Sequence, residues 1–386
     1  MRKVLLLLAG VLLLWTAGAA RETARAAETF KYLIDELPPI PHPGTETWQT
    51  TAYAINNRDQ MVGVSTKKDS SIFHATLWEF KGGQWVITDL GNLGGLGGSV
   101  AAMINDAGVV AGWSYLPNGM THAFRWDPVS RMQDLDAGDT KSIFSKGLGI
   151  NSKGWVAGYF RDSQGDDHPC RWKGPGSREQ LGKLTGTPPD KGVAYAINAG
   201  GTVAGNAWVY NPADRSATDH AALWFPGGYT DLGTLKTGYE SFGYAINKAG
   251  QVVGKSNLLV NQEHPYHAVI WNGAAPTDLQ TLGGEESQAT AINNQGAVVG
   301  WSHDKYGSKC AFLWEPGKGM IDLNYLISQT QQYHWNLLTA NGINDDGLIV
   351  GVGTYDGKLR GFLLSPVKPI AEAITQVLLM LLLSEP

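Results

Sequence analysis

The chain has 386 residues, 43% of them hydrophobic and 17% charged, with 49 Gly, 14 Trp and 14 Tyr. That hydrophobic fraction excludes a disordered chain, and the aromatic content favours strands over helices. A net charge of −5 with no long basic run argues against a nucleic-acid partner.

At the N-terminus, Arg2 and Lys3 precede an apolar stretch from Val4 to Trp15. Ala17-Gly18-Ala19 and Ala24-Arg25-Ala26 both fit the A-x-A cleavage pattern. Residues 1–27 therefore read as a secretory signal peptide, and the protein as exported to a periplasm or the exterior. A strand is expected from Phe30 to Leu37, and it carries Asp35-Glu36-Leu37.

From there to residue 366 the chain repeats itself. An Ile-Asn pair recurs with Asn at 56, 105, 151, 198, 247, 293 and 344, which makes seven copies. Each first strand ends on that pair. Four residues before the Asn the side chains are all small, and two before it they are small in every copy but the second, which has Met103, as in Ala52 and Ala54 or Gly147 and Gly149. Alternation along a strand then predicts the Ile on the face opposite these small residues. The Asn opens a tight turn. A glycine stands three residues later in six copies (Gly108, Gly154, Gly201, Gly250, Gly296, Gly347), and Asp59 takes that place in the first. Asn at the first position and Gly at the fourth suit a type I turn with a positive-φ residue after it. A second glycine follows seven residues after every Asn, from Gly63 to Gly351.

The third strand runs from a His to a Trp. It spans His74–Trp78, His122–Trp126, His168–Trp172, His220–Trp224 and His267–Trp271, then Cys310–Trp314 and Arg360–Leu364. The fourth carries Asp-Leu at Asp89, Asp134, Asp231, Asp278 and Asp322, with Gln180-Leu181 in the third copy. No such strand follows Leu364, so the spare strand at Phe30–Leu37 is expected to complete the last copy.

Four strands in each copy of about 48 residues is the size of a propeller blade. The expected fold is all-β: a seven-bladed β-propeller of four antiparallel strands per blade over residues 28–366, its last blade closed by the N-terminal strand. Closure removes the two unpaired edges of an open array. Residues 367–386 form an apolar tail. Its wholly apolar part, Val377–Leu383, is too short to span a membrane, so any membrane contact is expected through that tail alone. Cys170 and Cys310 fall three copies apart on third strands, too far for a disulfide, and are expected to stay unpaired.

The A-I-N-x-x-G-x-V-x-G and H-A-x-L-W patterns resemble the HAF-repeat family of predicted extracellular repeat proteins. The last copy is similar to that family's terminal repeat, with Asp322-Leu323-Asn324, Trp335, Gly342-Ile343-Asn344-Asp345 and Phe362–Pro366. The resemblance implies export and a repeat fold, and no reaction.

No residue stands out as catalytic, cofactor-binding or metal-ligating. The recurring His residues lie on third strands, and each is expected to hydrogen-bond a neighbouring strand or loop, with the recurring Asp serving the same network or a turn. Thr50, Ser99, Ser145, Ser241 and Ser287, six residues before the Asn, are expected to bond the adjacent linker backbone. Gly91–Gly98 has no P-loop Lys, and the acidic loop Arg161–Asp167 lacks EF-hand spacing. The loops joining second to third strands, and one copy to the next, are irregular and carry aromatics and charges: Tyr210–Asp219, Leu258–Tyr266 and Ile327–Leu337. The expected function is a binding module using that loop face, its partner a carbohydrate, an envelope component or a protein. A secreted hydrolase or lyase on the same scaffold is the alternative, and a structural envelope repeat a third. Two converging carboxylates would favour the enzyme, and the sequence places no such pair.

Overall fold

The computed structural model describes residues 30–41, 48–67, 72–139, 142–182, 191–211, 216–236, 238–259, 263–273 and 275–367. The signal-peptide segment and the apolar tail beyond residue 367 lie outside the described residues. No helix among those described is long and apolar enough to cross a membrane.

The molecule is all-β, a propeller-like set of four-stranded antiparallel sheets. In the first copy the order is Trp48–Ile55, Met61–Lys67, Phe73–Lys81, Gln84–Asp89. The other copies repeat it. The sheets of copies two and three are joined by a single parallel pairing, Phe144 with Thr121. In the last copy the fourth strand is Tyr32–Glu36, which pairs antiparallel with Lys358–Pro366 from Tyr32↔Pro366 to Glu36↔Phe362. The Leu37 amide donates to the Gly361 carbonyl (2.9 Å), as Leu90 does to Ala75 and Leu232 to Ala221. This strand thus stands in the place that Asp-Leu strands take elsewhere.

The Ile-Asn turn has the expected chemistry. Asn105 Oδ1 accepts from the amides of Ala107 (3.0 Å) and Val109 (2.9 Å), and the Gly108 amide closes the turn on the Asn105 carbonyl (2.9 Å). Gly108 has φ +80°, and Asp59 in the first copy adopts φ +57°, which Asp tolerates better than most residues.

The expected alternation of the first strand does not hold. Every first strand carries a β-bulge between the two small positions, as at Ala52/Ala54, Gly147/Gly149 and Ala340/Gly342. An extra residue shifts the alternation. Ile55 therefore shares a core with Ala52, Met61 and Trp78, while Ala54 faces the opposite one with Val62 and Leu77, and Ile343 likewise packs with Ala340. The bulge also explains the second glycine. A Cβ at Gly63 would sit 2.0 Å from the Thr51 carbonyl oxygen, and one at Gly254 1.8 Å from that of Phe242. The second strand passes the bulge only where no side chain intervenes.

Apolar clusters fill the spaces between neighbouring sheets. Trp78, Trp126, Trp172, Trp224 and Trp271 are buried, and Trp314 is half-buried. Trp78 packs with Leu37, Ala52, Val350 and Leu363, which joins the first copy to the last. The hydroxyls before the Asn bond linkers and neighbouring third strands. Ser241 Oγ accepts from the Ala221 amide (2.8 Å) and donates to the Gly233 carbonyl (2.8 Å). Ser99, Ser287 and Thr50 repeat the arrangement.

Cys170 and Cys310 are unpaired and buried. Burial pushes the Cys310 thiol up to about 12, with the nearby Asp322 acting in the same sense, and raises that of Cys170 as well. Such thiols are poor nucleophiles. A thiol count on the denatured, unreduced protein is expected to give two, and a Cys170–Cys310 bond would overturn the order of the copies.

Candidate functional site

In a four-stranded antiparallel sheet, the first-to-second and third-to-fourth turns share one end. The second-to-third loops and the linkers share the other. The two ends of this molecule differ in chemistry.

At the turn end, the Ile-Asn pairs of all seven copies surround one depression. Its floor is a chain of amides. Asn56 Nδ2 donates to the Asn105 carbonyl (2.8 Å) and Asn105 Nδ2 to that of Asn151 (2.8 Å), and Asn151 continues to Asn198 (3.1 Å). Asn247 donates to Asn293 (3.1 Å), Asn293 to Asn344 (3.1 Å), and Asn344 back to Asn56 (3.2 Å). These donors are spent on the scaffold. Asp would serve the turn as well as Asn, yet only an amide can also donate across copies. The recurrence of Asn without one Asp was the signal for this ladder. Asn344→Asp tests it. The carboxylate would keep the Leu348 amide but lose its donor beside the Asn56 carbonyl and Asp59. We expect a loss of about 1–3 kcal/mol in chemical denaturation at neutral pH. The carboxyl's pKa would be raised in the folded state, so the deficit should shrink as pH falls and an O–H donor returns.

The recurring His residues are also structural. Nδ1 of His74, His122, His220 and His267 lies 2.8–3.0 Å from Asp89, Asp134, Asp231 and Asp278 in the same sheet. The bond to Asp134 raises the pKa of His122 against the opposing effect of burial. In two copies where one partner is replaced, another ion pair takes its place. Arg360 Nε meets Glu36 (2.6 Å) in the last copy. His168, facing Gln180 instead of Asp, turns Nε2 to Asp162 (2.9 Å).

The acidic loop of copy three is occupied by its own neighbours. Asp162 accepts from the Gln164 and Asp166 amides and faces His168, and its pKa falls to about 2, with the His168 bond the largest cause. Asp167 pairs with Arg161 (2.7 Å) and Asp166 with Lys191 (2.5 Å).

The loop end is the chemically varied one. Around the axis it gathers rings, cations and carboxylates, most from copies three to five. Tyr195 and Tyr244 meet edge to face, with centroids 4.9 Å apart. Phe242 stacks on Tyr244 and lies 6.2 Å from Tyr266. Lys255 Nζ sits 4.1 Å over the Tyr266 ring and 5.1 Å over that of Phe242. The Tyr266 hydroxyl donates to Glu240. Burial is the largest cause of the raised pKa values of Tyr195, Tyr244 and Tyr266, and of the lowered pKa of Lys255. Beside them a cleft opens between copies three and four, lined by Asp166, Asp167, Lys191, Asn206, Trp208 and Asp219 among others. Burial, and the charge of Glu240 with it, raise the pKa of Asp219 against the effect of its bond from Asn206. The structure thus brings Asp219 and Glu240 within electrostatic reach of each other, a juxtaposition that their spacing in the chain did not reveal. The described residues of Tyr210–Asp219 continue the strands Val203–Asn211 and Ser216–Phe225 instead of forming an irregular loop, with Asp219 at the cleft. Leu258–Tyr266 brings Tyr266 to the cluster and His264 against the Tyr239 ring (4.9 Å).

A family described as a protein of unknown function (DUF3466) matches residues 189–361. No curated protein matches the chain. Among solved structures it is similar to the Pyrococcus horikoshii acylaminoacyl peptidase, at 12% identity and a TM-score of 0.46 over 86% of this chain. TolB from Acinetobacter baumannii matches at 10% identity and a TM-score of 0.41 over 82% of this chain. The chain spans 54% and 64% of the length of those two proteins. It is also similar to the Aleuria aurantia lectin, at 13% identity and a TM-score of 0.37, over 76% of this chain and 95% of the lectin.

Proposed function

We propose that this chain is an exported, closed seven-bladed β-propeller of the HAF-repeat kind that binds a polar ligand, carbohydrate foremost, through its loop end. Closure is supported by the Asn344–Asn56 bond and by the Tyr32–Glu36 strand on the last copy. The observation that carries the binding reading is the cluster of Tyr195, Tyr244, Phe242 and Tyr266 with Lys255 and Glu240 at that end. Sugars combine apolar ring faces with hydroxyls, and half-buried aromatic rings beside fixed polar groups match that combination. At the turn end, six of the seven ladder Asn amides are bonded to the scaffold, and no aromatic ring among the described residues lines the depression there.

The test is a binding screen of the mature protein against glycans and envelope extracts, repeated with Phe242→Ala. Binding to a glycan that falls at least about tenfold in the variant, the size expected for losing one buried ring contact, supports the reading. A hit unaffected by Phe242→Ala, or no glycan hit, sinks it. Thermal unfolding of the variant separates lost binding from lost fold. A hydrolase or lyase on the same end is the second reading, favoured by the raised pKa of Asp219 near Glu240. Glycan shortening during the same incubations would decide for it.

A further inference from the structure

The cleft between copies three and four has a polar balance that narrows the ligand. Asp166 and Asp167 each hold a cation of the protein, Lys191 and Arg161. Asp219 has no such cation, and its carboxylate meets the side-chain amide of Asn206 (2.5 Å). Asn206 is 5% exposed, and with its Nδ2 spent on Asp219 its Oδ1 has no partner. Asp219 is thus the one carboxylate of the three that no cation of the protein offsets. Asn206 Oδ1 is itself enclosed, so Asp219 is the acceptor that the cleft presents. Trp208 adds an aromatic wall, with Lys191 Nζ 4.5 Å from its ring centroid.

We infer that this cleft takes a protonated primary amine carried on a sugar-sized polar body, the chemistry of a deacetylated amino sugar. The ammonium faces Asp219, and the ring lies along Trp208. A charge-assisted bond to a partly buried carboxylate is stronger than a neutral one. A neutral sugar brings donors but no charge for Asp219. An N-acetyl group removes the charge and leaves one N–H. An acidic sugar would set its charge against Asp219, the carboxylate left without a cation. This inference rests on the reading above and narrows it to one class of glycan.

Titration calorimetry of the mature protein with oligomers of glucosamine, N-acetylglucosamine and glucose tests it. Glucosamine oligomers should bind about tenfold or more tightly than the other two, the factor expected for one charge-assisted bond. Asp219→Asn, which keeps an acceptor for Asn206, should abolish that preference without lowering the thermal midpoint. Equal affinities, a preference for either neutral oligomer, absence of glucosamine binding, or a preference that survives Asp219→Asn would each overturn the inference. If other glycans bind and depend on Phe242, the amine assignment alone fails. If no glycan binds at all, the wider reading falls with it.

Discussion

Removing residues 30–37 will abolish cooperative folding of the domain. The segment supplies the fourth strand of the last sheet and buries Tyr32 (7% exposed) and Leu37 (0%). Two buried side chains of this size are worth about 1.5–3 kcal/mol each. The cut also strips the Lys358–Pro366 strand of its partner and Arg360 of Glu36. It further removes the acceptor at Leu37 for Thr50, which ties the first copy to the last. Summed, the loss approaches the roughly 5–15 kcal/mol that holds a typical domain together. The expected result in a urea titration is a broad, early transition with aggregation from the exposed edge. A circular permutant that joins residue 366 to residue 32 through a short turn should recover a single sharp transition, because those two residues are already paired. A deletion protein as stable as the intact one would remove the strand from any part in closure.

The second large effect is expected at Arg178→Met. The Arg178 guanidinium lies 2.6 Å from Asp139 and 3.2 Å from Asp136, and 3.9 Å from the Phe160 ring centroid. Asp136 is 2% exposed, and its Oδ1 also accepts from Trp172 Nε1 (2.9 Å). Methionine keeps much of the packing but leaves a buried carboxylate without its cation. Breaking a buried pair from one side costs about 3–5 kcal/mol. The double variant Arg178→Met with Asp136→Asn should recover a good part of that loss, since it removes the stranded charge. Equal denaturation midpoints for Arg178→Met and the unaltered protein would show that the pair carries no such weight.

The sequence alone determined whatever the seven copies share. The Asn turn and the aromatic third strand recur at similar spacing, which turns weak local signals into strong ones and makes the one absent fourth strand, after Leu364, stand out. Local rules sufficed there, because a tight turn or a His–Asp bond involves residues close in one sheet. The Ile face was misread because a bulge breaks the alternation, and nothing in the side chains announces it apart from the glycine seven residues after each Asn. The Asn ladder needed the angle between neighbouring sheets, which only their packing sets. The loop-end site was beyond the sequence for a different reason. Asp166, Lys191, Asn206, Trp208 and Asp219 stand where the copies differ, so no periodicity marks them. They become neighbours only when the edges of copies three and four meet around the axis.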